Sequence, residues 1–122
     1  MSSVIAVING TATGANKAER IGHWTVALQL VDDRNEPDPR PAARKELAGE
    51  VAGMTHNQAA LEAVRQTLAA LKRDGVTVTV VTTNDYLIGV LARHWKPSRN
   101  KEQIAEVKAL LEKHTVTFEK PV

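Results

Sequence analysis

The groups best able to grip a polyanion lie close together at Arg93, Trp95, Lys96, Arg99 and Lys101. Cations at this density can address successive phosphates, and an indole among them offers a flat face on which a base can stack. The same residues also fit a solvated helix end whose tryptophan covers the core. Other chemistries find less support. His23, His56, His94 and His114 are scattered without a ligand spacing such as His-x-x-x-His, so no metal cluster is expected. The run Asn9-Gly10-Thr11-Ala12-Thr13-Gly14 has neither a dinucleotide fingerprint nor a lysine-hydroxyl pair after it. The few serines form no nucleophile elbow, and with no cysteine there is no thiol nucleophile, thiolate site or disulfide framework.

The chain that must position these groups is 122 residues long, 43% hydrophobic and 25% charged, which fits one domain over residues 1–122 with a sizeable core. A formal charge of +2 with fourteen acidic residues interspersed is too weak to establish a polyanion partner by itself. The N-terminus has no basic leader, and the apolar run at residues 4–8 is too short for a signal peptide or membrane span. The expectation is a cytoplasmic protein without a membrane partner.

Residues 55–91 organise the rest. Thr55 with Gln58 has capping-box spacing, Asn57 being an alternative cap, and Leu61, Val64, Leu68 and Leu71 then make an apolar stripe. Glu62, Arg65, Gln66, Lys72 and Arg73 are expected to face water, and Gly75 to stop the helix. The β-branched run at residues 76–81 predicts a central strand, after which Asn84 or Asp85 can cap a second helix. Upstream, the VIAVI run of residues 4–8 predicts a strand buried on both faces and broken by the turn chemistry of Asn9-Gly10-Thr11. Residues 22–31 alternate as a second strand. Residues 32–41, with three prolines, read as an exposed hairpin connection, and residues 43–54 as a glycine-weakened, edge-like third strand. Beyond Pro97, Asn100 with Gln103 repeats the capping-box spacing before the stripe Ile104, Val107, Leu110 and Leu111, predicting a helix packed on the sheet. Residues 115–119 make a last strand.

The run THNQAALEAV, followed by a strand, TTNDYLIGVL and a Trp-Lys pair, resembles the ribonuclease H family. The resemblance covers almost the whole chain. It implies an α/β ribonuclease H-like fold: a five-stranded mixed sheet in the order 3-2-1-4-5, flanked by helices. The family continues with a histidine-bearing loop and a helix carrying a metal-binding aspartate, so the C-terminal helix is expected to be lacking. In the resemblance, the aspartate of the first strand falls on Asn9, the helix glutamate on Ala60 and the second aspartate on Thr83. Asn16 matches a loop asparagine that contacts nucleic acid. Thr55, Asn57 and Gln58 match residues contacting substrate backbone and minor groove, with His56 replacing an asparagine. The zone around Trp95 matches the family's basic region.

Phosphodiester hydrolysis by this family uses two divalent cations about 4 Å apart, which need charged oxygen ligands. Asn9, Ala60 and Thr83 supply no charge, so no catalytic centre, metal or other cofactor is expected. Glu62 lies about 200° around the helix from Ala60 and is expected to face solvent, and Asp85 to act as a helix cap. The leading expectation is therefore an inactive ribonuclease H-like domain that binds nucleic acid: hybrid, duplex or single strand. The alternative is a protein-interaction or self-assembly scaffold, a homodimer covering the surface a terminal helix would occupy. Third comes a metal-dependent ribonuclease H with displaced carboxylates.

Overall fold

The computed structural model describes residues 2–16, 18–32, 44–71, 74–93, 95–96 and 100–121. Its elements are β1 (Ser2–Thr13), β2 (Ile21–Asp32), β3 (Arg44–Ala52), α1 (His56–Ala69), β4 (Thr77–Val81), α2 (Asp85–Ala92), α3 (Lys101–Leu111) and β5 (Thr115–Glu119). The five strands form one mixed sheet in the order β3-β2-β1-β4-β5. The pair β1 and β2 is antiparallel, as is β2 with β3, while β4 runs parallel to both β1 and β5. Val4 stands opposite Val78 and Ala6 opposite Val80, which places the two apolar runs side by side as expected. The hairpin connection, Lys72, Arg73 and His94 fall outside the described residues, apart from the Asp32 end of β2.

Burial follows the two-residue period of the strands. Val4, Ala6 and Ile8 of β1, Trp24 and Val26 of β2, and Val78 and Val80 of β4 join Leu61, Val64, Leu68, Leu87, Ile104 and Val107 of the helices in one core. Fully burying each such aliphatic side chain contributes about 1.5–3 kcal/mol. Ile5 and Val7 point to the other face, and Val7 is 47% exposed. The continuous VIAVI run is thus not buried on both faces: among the described residues, the helices cover one face only.

Asn9-Gly10-Thr11 does not break β1 either. Pairing with β2 continues through Gly10 opposite Trp24 to Thr13 opposite Ile21. Gly10 serves the approach of α1, since a Cβ there would stand 2.3 Å from the Ala60 nitrogen and 2.8 Å from the His56 oxygen. Gly49 on the edge strand β3 leaves room for the Trp24 ring in the same way, 2.5 Å from where a Cβ would sit.

The Thr55 capping box is formed. Gln58 N donates to Thr55 Oγ1 at 3.2 Å and Thr55 N to Gln58 Oε1 at 2.9 Å. Helix α1 stops earlier than Gly75, with Ala70 as its C-cap and Leu71 N bonded back to Leu68 O at 3.2 Å. Gly75 instead takes φ +78 and donates to Lys113 O at 2.7 Å, turning the chain into β4 beside the end of α3. Glu62 is a second departure, only 7% exposed. Its carboxylate lies against Arg65 and Gln66 of the same helix rather than in open water. Helix α3 lies chiefly against α1, completing the layer, rather than directly on the strands.

The spacing of Asn100 and Gln103 is also used differently. Asn100 precedes α3 in a left-handed conformation, φ 61, and makes no side-chain cap. Its amide is committed to other elements: Oδ1 accepts from Gln58 Nε2 at 2.9 Å and Nδ2 donates to the Tyr86 hydroxyl at 3.3 Å. Gln103 Nε2 donates to Gln58 O at 2.9 Å. The starts of α1, α2 and α3 are thereby tied together. No described helix is long and apolar enough to cross a membrane.

Candidate functional site

The parallel pair β1 and β4 ends against the starts of α1 and α2, and a cleft of about 400 Å³ opens there. It is lined by Asn9, Gly10, His56, Asn57, Thr82, Thr83, Asn84, Asp85 and Tyr86. Asn84 shapes one wall. Its Oδ1 accepts from Leu87 N at 3.0 Å, which makes it the cap of α2, and its Nδ2 donates to Asn57 Oδ1 at 3.0 Å. The buried Thr82 hydroxyl accepts from Asn84 N at 3.1 Å. Asp85 is therefore the first residue of α2 rather than its cap. Its exposed carboxylate pairs with Lys120, whose hydrogen bond and charge hold its pKa below the usual range.

Asn9 and Thr83 line this cleft, whereas Ala60 is 1% exposed and packed under Gly10. An amide, a methyl group and a hydroxyl do not fit a two-cation centre, because hard divalent ions need charged oxygens to displace their water. Neither nearby acid makes good the deficit. Glu62 is committed to Arg65 Nε at 3.0 Å, Arg65 Nη2 at 2.7 Å and Gln66 Nε2 at 2.8 Å. The hydrogen bond from Arg65 lowers its pKa against the opposing effect of burial, with Gln66 adding to the lowering. Among the described residues, no three His, Cys, Asp or Glu side chains come together as a metal-binding group. Of the histidines, His23 is bonded to Thr13 at 3.0 Å and stands 3.2 Å from the Glu50 carboxylate, and His114 accepts from Val76 N at 3.2 Å.

The basic segment follows α2. Trp95 N donates to Gly89 O at 3.0 Å, and the indole lies flat on Gly89, 2.1 Å from where a Cβ would stand. One face of the ring is thus packed, yet the residue remains 47% exposed. Arg93 at the C-cap of α2, Lys96 and Lys101 at the start of α3 are all exposed. Arg99 falls outside the described residues. Because Asn100 is fastened to Gln58 and Tyr86, the end of this segment is anchored beside the wall of the cleft.

The remaining sequence candidates have mixed positions. Asn16 is exposed, with its Oδ1 accepting from Glu19 N at 3.1 Å. Thr55 and Gln58 spend their side chains on the capping box and on Asn100, and Asn57 bonds Asn84. What the residue patterns did not reveal is the contribution of Thr82, Asn84 and His56 to one cleft. Those residues meet through strand pairing and helix approach, neither of which local spacing encodes.

No family model and no curated protein matches the chain. Solved structures do. LC9-RNase H1, a type 1 RNase H with the type 2 active-site motif, matches with TM-score 0.78 and 17% identity, over 99% of this chain and 63% of that one. RNase H1 from the halophilic archaeon Halobacterium salinarum NRC-1 matches with TM-score 0.66 and 17% identity, over 97% of this chain and 86% of that one. The foamy viral protease-reverse transcriptase, in complex with dsDNA, matches with TM-score 0.67 and 12% identity, over 96% of this chain and 81% of that one. The chain thus spans less than two thirds of the length of LC9-RNase H1.

Proposed function

The chain has a ribonuclease H-like fold, and we propose that it is a single domain that binds nucleic acid without hydrolysing it. The observation that carries this reading is the state of Trp95: held by Gly89 on one side, 47% exposed, and flanked by the exposed cations Arg93, Lys96 and Lys101. A ring fixed in this way loses little freedom when a base stacks on it, and the cations meet the adjoining phosphates. Arg99 extends the same basic run, while Asn16, Thr55, Asn57 and Gln58 form a second line of contacts through backbone and shape. The foamy viral neighbour was solved with dsDNA, which adds support for a nucleic-acid partner. A neutral donor set at Asn9, Ala60 and Thr83 supports the absence of metal-dependent cleavage.

The test is a salt-titrated binding measurement against single-stranded, duplex and hybrid substrates. Salt-dependent affinity for at least one of them is the expected result. A second reading rests on Val7, 47% exposed beside Ile5 and Ala27 on the sheet face that no described helix covers. On that reading the fold is a scaffold for self-assembly or for a protein partner, and sedimentation would reveal a concentration-dependent dimer in a chain that binds no nucleic acid.

A further inference from the structure

The two outer strands of the sheet, β3 and β5, are not defended alike. An outer strand offers unpaired backbone groups to any other strand, and proteins commonly guard it with charge, proline or a bulge. On β3 the exposed side chains include Arg44, Lys45, Glu46 and Glu50. On β5, Thr-Val-Thr-Phe-Glu, the sole charge is Glu119 at the end, and Pro121 lies beyond the strand. Its backbone groups alternate in direction. Thr115 N donates to Val76 O at 3.0 Å and Glu119 O accepts from Thr82 N at 2.9 Å, so residues 115, 117 and 119 turn their N–H and C=O groups toward β4. Val116 and Phe118 turn theirs to the outer edge, where no described strand meets them. Beside that edge, on the helix face of the sheet, lies a groove of about 450 Å³ whose walls include Leu91, Leu111, Val116 and Phe118.

An extended chain fits this edge, and the residues of β5 match those of a second β5. Placed antiparallel about a twofold axis at Thr117, each copy sets its Val116 opposite Phe118 of the other, and the outward N–H and C=O groups of both residues exchange hydrogen bonds. The side chains then form two aromatic and β-branched pairs at the mouth of the groove. Thr117 meets Thr117 and Thr115 meets Glu119 on the opposite face, so no like charges stand together. A parallel pairing in register would instead set Glu119 against Glu119. We propose that β5 joins β5 of a second copy antiparallel, making a twofold dimer with one continuous sheet. This association rests on neither the Trp95 surface nor the Val7 face.

Sedimentation of the full chain over a range of concentrations, with hydrogen exchange read at each amide, tests the pairing. A concentration-dependent dimer is expected. Exchange at Val116 and Phe118 should slow as concentration rises, while Thr117 and Glu119, bonded to β4 in both states, stay unchanged. Thr117 is exposed, so T117K and T117E should keep the wild-type melting profile. Each should weaken self-association at least about tenfold by setting like charges together at the axis, and an equimolar mixture of the two should restore it. A chain monomeric at every concentration overturns the proposal. So does a dimer that T117K leaves intact, and its loss in V7K would place the contact on the other face of the sheet. A monomer whose Val116 and Phe118 amides are slowed only by an added peptide of alternating valine and threonine overturns it as well, by showing an edge that takes a foreign strand and not its own.

Discussion

Gln58 Nε2 donates to Asn100 Oδ1 at 2.9 Å across 42 residues of chain, joining the first turn of α1 to the residue that launches α3. Asn100 combines two properties that asparagine can hold together. It tolerates φ 61, and its amide reaches Gln58 and Tyr86 at once. Asn100→Gly keeps the backbone conformation and removes both bonds, so it should cost about 1–2 kcal/mol in urea unfolding. Asn100→Ala should cost about 1 kcal/mol more than the glycine variant, the difference being the left-handed strain of a residue with a Cβ. Equal stabilities for the two variants would contradict this division.

Gly10→Ala should be the most damaging single methyl in the sheet. Its Cβ would meet the Ala60 nitrogen at 2.3 Å and the Ala60 Cα at 2.7 Å, both backbone atoms of a buried helix that cannot turn aside. The expected loss is about 3 kcal/mol or more, read from the shift of the unfolding midpoint. Gly53→Ala is the control. Nothing lies within 4 Å of a Cβ there, so only the φ of +82 opposes it.

The order of the sheet was legible through the family resemblance and the succession of a meander and right-handed strand-helix-strand connections, and the capping box of Thr55 and Gln58 is a local signal. Gly10 was misread as a break because its purpose is the closeness of α1, 50 residues away in sequence at Ala60. Asn100 and Gln103 show the reverse error, a correct local spacing put to tertiary use. Helical rotation alone points Glu62 away from the sheet, and it misses the cover given by Arg65 and Gln66 one turn on, which leaves Glu62 only 7% exposed. The positions matching Asn9 and Thr83 were legible through the family resemblance, and the structure places both on one cleft.

Glu62 gives a prediction in pH. Its folded-state pKa is lowered by the Arg65 hydrogen bond, so the stabilisation is present in full above the unfolded value. It is lost as pH falls through the lowered folded value. Glu62→Gln should therefore be less stable than wild type at neutral pH, by about 1 kcal/mol once the partial exposure of Arg65 is allowed for. The two proteins should converge in acid. A gap that stayed constant from pH 7 to below the carboxylate range would show that the charge of Glu62 is not what stabilises it.

The purified chain should not cleave an RNA-DNA hybrid with magnesium or manganese. Asn9, Ala60 and Thr83 bring no charge, Glu62 is bound by Arg65 and Gln66, and Asp85 faces Lys120. A gel assay with labelled hybrid reads the outcome. Robust metal-dependent cleavage that vanished in Asp85→Ala or Glu62→Ala would show that one of these carboxylates leaves its partner to hold a cation.

The binding surface gives the last prediction. Lys96→Ala combined with Arg99→Ala should weaken nucleic-acid affinity to a similar extent across sequences and lower the salt slope by roughly one to two units, since each lost phosphate contact retains about one counterion. Trp95→Ala should cost about 1–3 kcal/mol of binding if a base stacks on the ring. Gly89→Ala isolates placement from chemistry. Its Cβ would stand 2.1 Å from the indole, so the ring must leave its seat while every cation is retained. Affinity should then fall as it does in Trp95→Ala with the salt slope unchanged, accompanied by a shift in tryptophan emission. A Gly89→Ala protein with displaced emission and full affinity would mean that Trp95 only covers the end of α2 and that binding, where it occurs, depends on the cations alone.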